Sequence, residues 1–184
     1  LSDEKTVITN INDGFDFLGW NFRKFKEKLL IQPSRKSKQK VTKSLSRTVK
    51  YYHEASQELL IIKLNQITRG WAEYHHCVCA KKTYALIDHR LWEMLWKWAK
   101  RRHPRKGKKW IKNRYWHPKG NREWSFRTDK AILYQMMDMP IVRIRSLDLK
   151  KNPFLDSEYF EHRRKQHKKD KETAYLSSTA ALSG

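Results

Sequence analysis

The spacing of apolar positions changes along the chain, and each change marks an element. Over residues 14–32, GFDFLGWNFRKFKEKLLIQ, aromatic and aliphatic residues recur near every second position, as in a half-buried strand. Phe15 and Phe17 are expected on one face, with Leu18, Trp20 and Phe22 on the other. A turn around 26–28 leads to a short run in which Leu29 and Ile31 share a face, and Pro33 closes it. A β-hairpin is predicted, although no glycine marks its turn. The spacing then lengthens. Ser34 can cap a helix whose apolar positions Val41, Leu45, Val49 and Tyr52 are four, four and three apart. Ser56 can cap a second helix, with Glu58 in its first turn, where negative charge suits the dipole. Its seam is Leu60, Leu64, Ile67, Trp71, Tyr74 and Val78. Gly70 within it costs about 1 kcal/mol relative to Ala, and close approach of another backbone is the expected reason. A third helix, from about 82 to 102, carries Tyr84, Ile87, Leu91, Leu95 and Trp98 as one stripe, flanked by Trp92 and Trp96. Three amphipathic helices with short joints predict a small bundle.

Past Pro104 the regularity ends. His117-Pro118-Lys119-Gly120-Asn121 is a strong turn signal between 110–116 and 122–127, which predicts a hairpin or two extended arms. If 110–116 is strand, Trp110, Lys112, Arg114 and Trp116 share a face. Residues 129–149 suggest a short helix ending near Pro140, and 156–171 a further helix. Residues 172–184 are small and polar, as in a frayed tail. The fold class expected is mainly α: a three-helix bundle preceded by a β-hairpin and followed by a basic, partly irregular α+β region.

Charge changes the picture. The chain has 184 residues, with 41 Lys+Arg against 19 Asp+Glu, a formal charge of +22, pI near 10.1 and mean hydropathy −0.91. The cations are clustered. The first helix carries Arg35, Lys36, Lys38, Lys40, Lys43, Arg47 and Lys50 without one acid, unlike the interspersed charges of a merely solvated face. From 97 to 114 there is again no acid, and Lys97, Lys100, Arg101, Arg102, Arg105, Lys106, Lys108, Lys109, Lys112 and Arg114 fill more than half the positions. Such a block repels itself unless a polyanion lies over it. Trp110 and Trp116 add flat surfaces suited to stacking, and His103 sits with Arg101 and Arg102 where cations favour a helix C-terminus. Nucleic acid is the expected partner. No long apolar run offers a membrane span, and Leu1–Asn10 lacks the apolar core of a signal. The chain also begins without an initiator Met, as if part of something longer. Eight Trp, eight Tyr and seven Phe supply enough apolar surface for a core, which argues against a disordered basic tail.

Catalytic signatures are weak. His75-His76-Cys77-Val78-Cys79 gathers four ligand-type side chains, but a structural zinc site draws them from separated positions, usually two pairs. Cys77 reads better as core, and the two cysteines fit a reducing, intracellular compartment. Asp156, Glu158, Glu161 and His162 do not all share a helix face. No phosphate loop or nucleophile elbow is present, so neither catalytic nor metal-ligating residues are expected.

Several blocks are familiar. Glu4-Lys5-Thr6, GFDFLGWNFRK at 14–24, LLIQPS at 29–34, LNQITRGWAEYHH at 64–76 and LWKWAKRRHPRKGKKWI at 95–111 resemble group II intron-encoded proteins, which are reverse transcriptases with maturase activity. The resemblance runs through about Arg164. It implies that 1–32 ends a polymerase palm, with Phe17, Leu18 and Gly19 in a primer-grip-like hairpin. It implies that 33–103 form the thumb, or maturase domain X, that 104–171 form a DNA-binding region, and that 172–184 are a flexible tail. The partners implied are group II intron RNA, target DNA, the RNA–DNA duplex and the fingers–palm portion of the same protein. The palm with its catalytic Asp pair and the C-terminal nuclease module of some relatives are not in the sequence. No cofactor is therefore expected in this chain, while Mg2+ is implied for the absent palm and for the intron RNA. A cytoplasmic ribonucleoprotein particle of bacterial type is the implied setting. Two other readings remain: a general DNA-binding module without intron specificity, and a cryptic metal-dependent nuclease.

Overall fold

In a computed structural model that describes residues 8–145 and 147–183, three antiparallel strands lead into three long helices. Glu4–Thr6 lie outside the described residues. The strands are β1 (Phe15–Phe17), β2 (Trp20–Phe25) and β3 (Lys28–Pro33), in that order across the sheet. The period-two run at 15–22 is not one strand. Leu18 and Gly19 take positive φ, 47° and 82°, and reverse the chain in a two-residue turn. Phe15 therefore pairs with Phe22 and stacks on it at 5.3 Å, on the same face rather than the opposite one. The second turn, at 26–27, is made without glycine because Lys26 accepts φ 52°.

The bundle comprises α1 (Arg35–Tyr51), α2 (Gln57–His75) and α3 (Lys81–Arg102). Ser34 and Ser56 cap the first two as expected, accepting from the Ser37 and Leu59 amides at 3.1 and 3.2 Å. The α3 stripe and Val41, Leu45 and Val49 of α1 are buried where the spacing placed them, while Tyr52 is the half-buried C-cap of α1. The α2 seam is rotated. Its buried row is Leu60, Ile61, Leu64, Thr68, Ala72 and His75, while Tyr74 is 49% exposed and Val78 is buried beyond the helix end. The rotation follows from close packing: small Thr68 and Ala72 let neighbours approach, and the Tyr84 hydroxyl donates to the Ala72 carbonyl at 2.7 Å.

After α3 come α4 (Lys108–Tyr115), β4 (Trp116–Lys119), β5 (Arg122–Phe126), a single 3₁₀ turn at Met136–Asp138, and α5 (Ser157–Ser183). The helix expected within 129–149 is only that turn, because side chains of the bundle take the backbone's hydrogen bonds instead. Asn65 donates to the Ile132 carbonyl at 2.8 Å and accepts from the Tyr134 amide at 2.7 Å. The Asp88 carboxylate accepts from the Met136 and Met137 amides at 3.0 and 2.9 Å. The last helix does not stop near 171 but continues to Ser183, so the expected frayed tail is helical. Tyr175 fastens it, donating to Glu73 at 2.7 Å, and Lys171 pairs with the same carboxylate. One core runs from Val41 through α3 to Tyr115, Trp116, Phe126 and Met139.

Candidate nucleic-acid interface

The basic face of α1 follows from its composition. Val41, Leu45 and Val49 turn inward at spacings of four, and this leaves Arg35, Lys36, Lys40, Lys43 and Arg47 exposed, with Lys38 half-buried. The N-terminal end of α1 lies beside the β1–β2 turn, where Ser37 Oγ stands 3.7 Å from the position a Cβ on Gly19 would take. Phe17 and Leu18 are exposed at that turn, and the Tyr74 hydroxyl donates to the Leu18 carbonyl at 2.5 Å. Phe17, Leu18 and Gly19 thus adjoin the basic helix.

At its other end α1 meets the C-terminal end of α3. Between them is a cavity of about 550 Å³ lined by Lys50, His53, Trp98, Arg101 and Arg102 among others. The one acid lining it, Glu54, is 3.4 Å from His53. Lys97, Lys100 and Arg101 are exposed. Arg102 and His103 have duties within the fold. The Arg102 guanidinium donates to the His53 and Ala55 carbonyls at 3.0 and 2.8 Å and lies 4.7 Å over the Trp98 ring. His103 Nε2 is 2.7 Å from the Tyr115 hydroxyl. Lys50, in the basic face but not singled out from sequence as a contact, lines this cavity. Its place three residues after Arg47 was the available signal.

The expectation of a shared strand face for Trp110, Lys112, Arg114 and Trp116 is overturned. Residues 108–115 are helical, because Ile111 and Tyr115, four apart, are the pair that turns inward. Trp116 is 2% exposed, packs on Trp96 and Phe126, and offers no surface to a base. Trp110 is 40% exposed, against His103 at 4.7 Å and beneath Lys106 at 5.3 Å. Arg105, Lys106, Lys108, Lys109 and Arg114 are exposed, and Lys112 lies 5.2 Å over the Trp124 ring. Trp124 itself escaped notice in the sequence. It is exposed, although backed by Trp92 and Trp96.

None of these candidate cations enters an ion pair among the described residues; the pairs found use Lys24, His53, His89, Arg122, Arg145, Lys151 and Lys171. The His-Cys run does not converge. His75 is fully buried, hydrogen-bonded to Trp20 and Ser37, and its desolvation lowers the imidazole pKa to about 4. Cys77 is half-buried and Cys79 exposed. Among the described residues no group of three or more His, Cys, Asp or Glu could hold a metal ion, and no helix is long and apolar enough to cross a membrane. Asp156, from the acidic cluster, is bonded to Lys151 at 3.0 Å and to the Asn152 amide at 2.9 Å.

Residues 34–116, which span α1 to the first residue of β4, match the family model described as the group II intron, maturase-specific domain. No curated protein matches the chain.

Proposed function

We propose, from the group II intron maturase-specific domain that residues 34–116 constitute, that this chain binds folded intron RNA to assist splicing. In the same reading it clamps a template–primer duplex for a polymerase palm supplied by the rest of a longer protein. The observation that carries the RNA-binding reading is the set of exposed cations on α1, at the end of α3 and on α4, which find no acid partner among the described residues. Leaving so much like charge unneutralised is unfavourable unless phosphates complete it.

The mechanism is binding. Lysine and arginine displace counterions from the RNA, and the helical core holds them in register. With about six to ten phosphates covered, affinity falls roughly 10³–10⁵-fold between about 50 and 200 mM salt. Arg101 is the residue to test, because Arg102 also holds backbone carbonyls. Arg101→Ala is expected to weaken intron RNA binding and flatten the salt slope in filter-binding titrations, with Tm unchanged. An unchanged slope removes Arg101 from the interface. Equal competition by tRNA and intron RNA sinks the intron-specific reading in favour of a general nucleic-acid binder. Contact of residues 104–171 with target DNA, and Phe17, Leu18 and Gly19 beside a primer end, belong to the same proposal.

A further inference from the structure

The close backbone approach expected at Gly70 is made by no described residue, since a Cβ built there would meet nothing within 4 Å. A larger unfilled space lies along α5. The half-buried stripe of that helix runs through Phe160, Arg163, His167, Lys171 and Tyr175. Their spacings of three and four put them on one face. The later half of the stripe is closed, because Lys171 and Tyr175 bind Glu73 and Tyr175 meets Met139. The earlier half is open. A cavity of about 550 Å³ lies against it, with Ile144, Pro153 and Phe160 as its apolar lining and Arg145, Arg163 and Arg164 beside them. Among the described residues no acid lines it.

The segment that faces α5 is tied to it. Arg145 pairs with Asp170 at 2.9 Å, Arg163 donates to the Arg145 carbonyl, and the Tyr159 hydroxyl accepts from the Asp148 amide at 3.0 Å. A turn follows at the cavity's edge. The Phe154 amide donates to Asn152 Oδ1 and the Asn152 amide to Asp156, both at 2.9 Å. This ordered turn holds Phe154 93% and Leu155 83% exposed, next to Pro153 of the cavity lining. Ile144 and Leu149 are exposed as well. Large apolar side chains gathered at one place and held out to solvent mark an interaction surface.

The chemistry of the surface selects its occupant. Bases stack on ring faces, whereas Ile144 and Pro153 are alkyl and the Phe160 ring is met edge-on by Tyr159 at 5.1 Å. A second copy of the chain would bring a further charge of +22 against this one, which repels. A lipid surface is flat where the cavity is concave. An apolar centre with a cationic rim is the anatomy of a protein interface whose partner carries carboxylates. Arg164 and Lys168, one turn apart, are exposed and enter no ion pair among the described residues. We propose that the open half of α5 and the 153–155 turn dock an acidic segment of another protein. A large apolar side chain of that segment enters the cavity, a second packs on Phe154 and Leu155, and its carboxylates meet Arg164 and Lys168. The inference does not depend on the RNA-binding reading.

The test uses the whole chain and a fluorescein-labelled helical peptide that sets Leu and Phe one turn apart among glutamates. Its control has alanine at both apolar positions. Fluorescence anisotropy is expected to find the Leu/Phe peptide bound about tenfold or more tighter than the control, the effect of burying such side chains. Ile144→Glu and Arg164→Glu should each weaken its binding about tenfold. Lys82→Glu, a charge reversal at an exposed site on α3, should leave it unaltered. Phe154→Ser, at a position that packs on nothing in the fold, serves as the second variant if Ile144→Glu loses helical circular dichroism. Failure to bind either peptide overturns the site. Equal affinity for the two peptides, or an equal loss in Lys82→Glu, reduces the binding to net charge and also overturns it. So does duplex RNA or a phosphatidylglycerol vesicle that binds in place of the peptide and is lost in Ile144→Glu and Phe154→Ser. Dimerisation in sedimentation that Ile144→Glu abolishes gives the surface to a second copy and overturns the proposal too.

Discussion

His75 is uncharged in the fold, and its neighbours depend on that. Its two ring nitrogens join Trp20 on β2 to Ser37 on α1, so protonation would turn an acceptor into a donor facing an indole N–H. Burial lowers its pKa to about 4, whereas the unfolded side chain titrates near 6.5. Between those values the unfolded chain binds the proton and the folded one does not. The stability this group contributes is thus complete above about pH 6.5 and lost as pH falls towards 4, on the order of 3 kcal/mol in all. Asp88 acts oppositely across part of this range, since burial raises its pKa to about 6 despite the Met137 and Met136 amides. Thermal melts of Asp88→Asn should therefore fall more steeply from pH 6.5 to 4.5 than those of the unaltered chain. Nitrogen NMR should find His75 neutral and protonated on Nε2 at pH 5; an imidazolium there refutes the assignment.

Among the elements, α1 and α3 were legible because large apolar residues recur at helical spacing along the faces they bury. The α2 seam was not, because a row made of Thr68, Ala72 and His75 is invisible to a count of large apolar residues. α4 was misread for a related reason. Trp110, Lys112, Arg114 and Trp116 satisfy period two, yet burial of Ile111 and Tyr115 decides, and that pair is four apart. α5 extends beyond its expected end because of partners distant in sequence. Burial works against the Glu73 carboxylate, but Lys171 and Tyr175 outweigh it and hold its pKa below the ordinary value. Tyr175 also reaches Met139 Sδ at 3.1 Å. Glu73→Gln and Tyr175→Phe should each lower amide-exchange protection in α5 and leave α1 unchanged. Equal protection in both variants would mean that the clasp does not hold the helix.

For the whole molecule, charge was the feature most readable from sequence, and the partner class followed from it without coordinates. The primer-grip-like turn was placed by resemblance, and its adjacency to α1 emerged only from the fold. What sequence could not supply was the division of labour among similar residues. Arg101 and Arg102 are neighbours of one type, yet one is exposed with no ion pair among the described residues while the other closes the end of α1. Trp110 and Trp116 differ likewise, one exposed and one buried.

The segment held by Asn65 and Asp88 also bears on how the molecule is assembled in time. Those hydrogen bonds span 48 to 69 residues of sequence, and their acceptors and donors are positioned only once α2 and α3 have packed. Contacts of that separation form late, so the covering layer closes after the bundle and opens first. Asn65→Ala is expected to accelerate unfolding while leaving the refolding rate nearly unchanged in stopped-flow mixing, the signature of interactions absent from the transition state. A refolding rate slowed in proportion to the lost stability would instead place this layer in the folding nucleus.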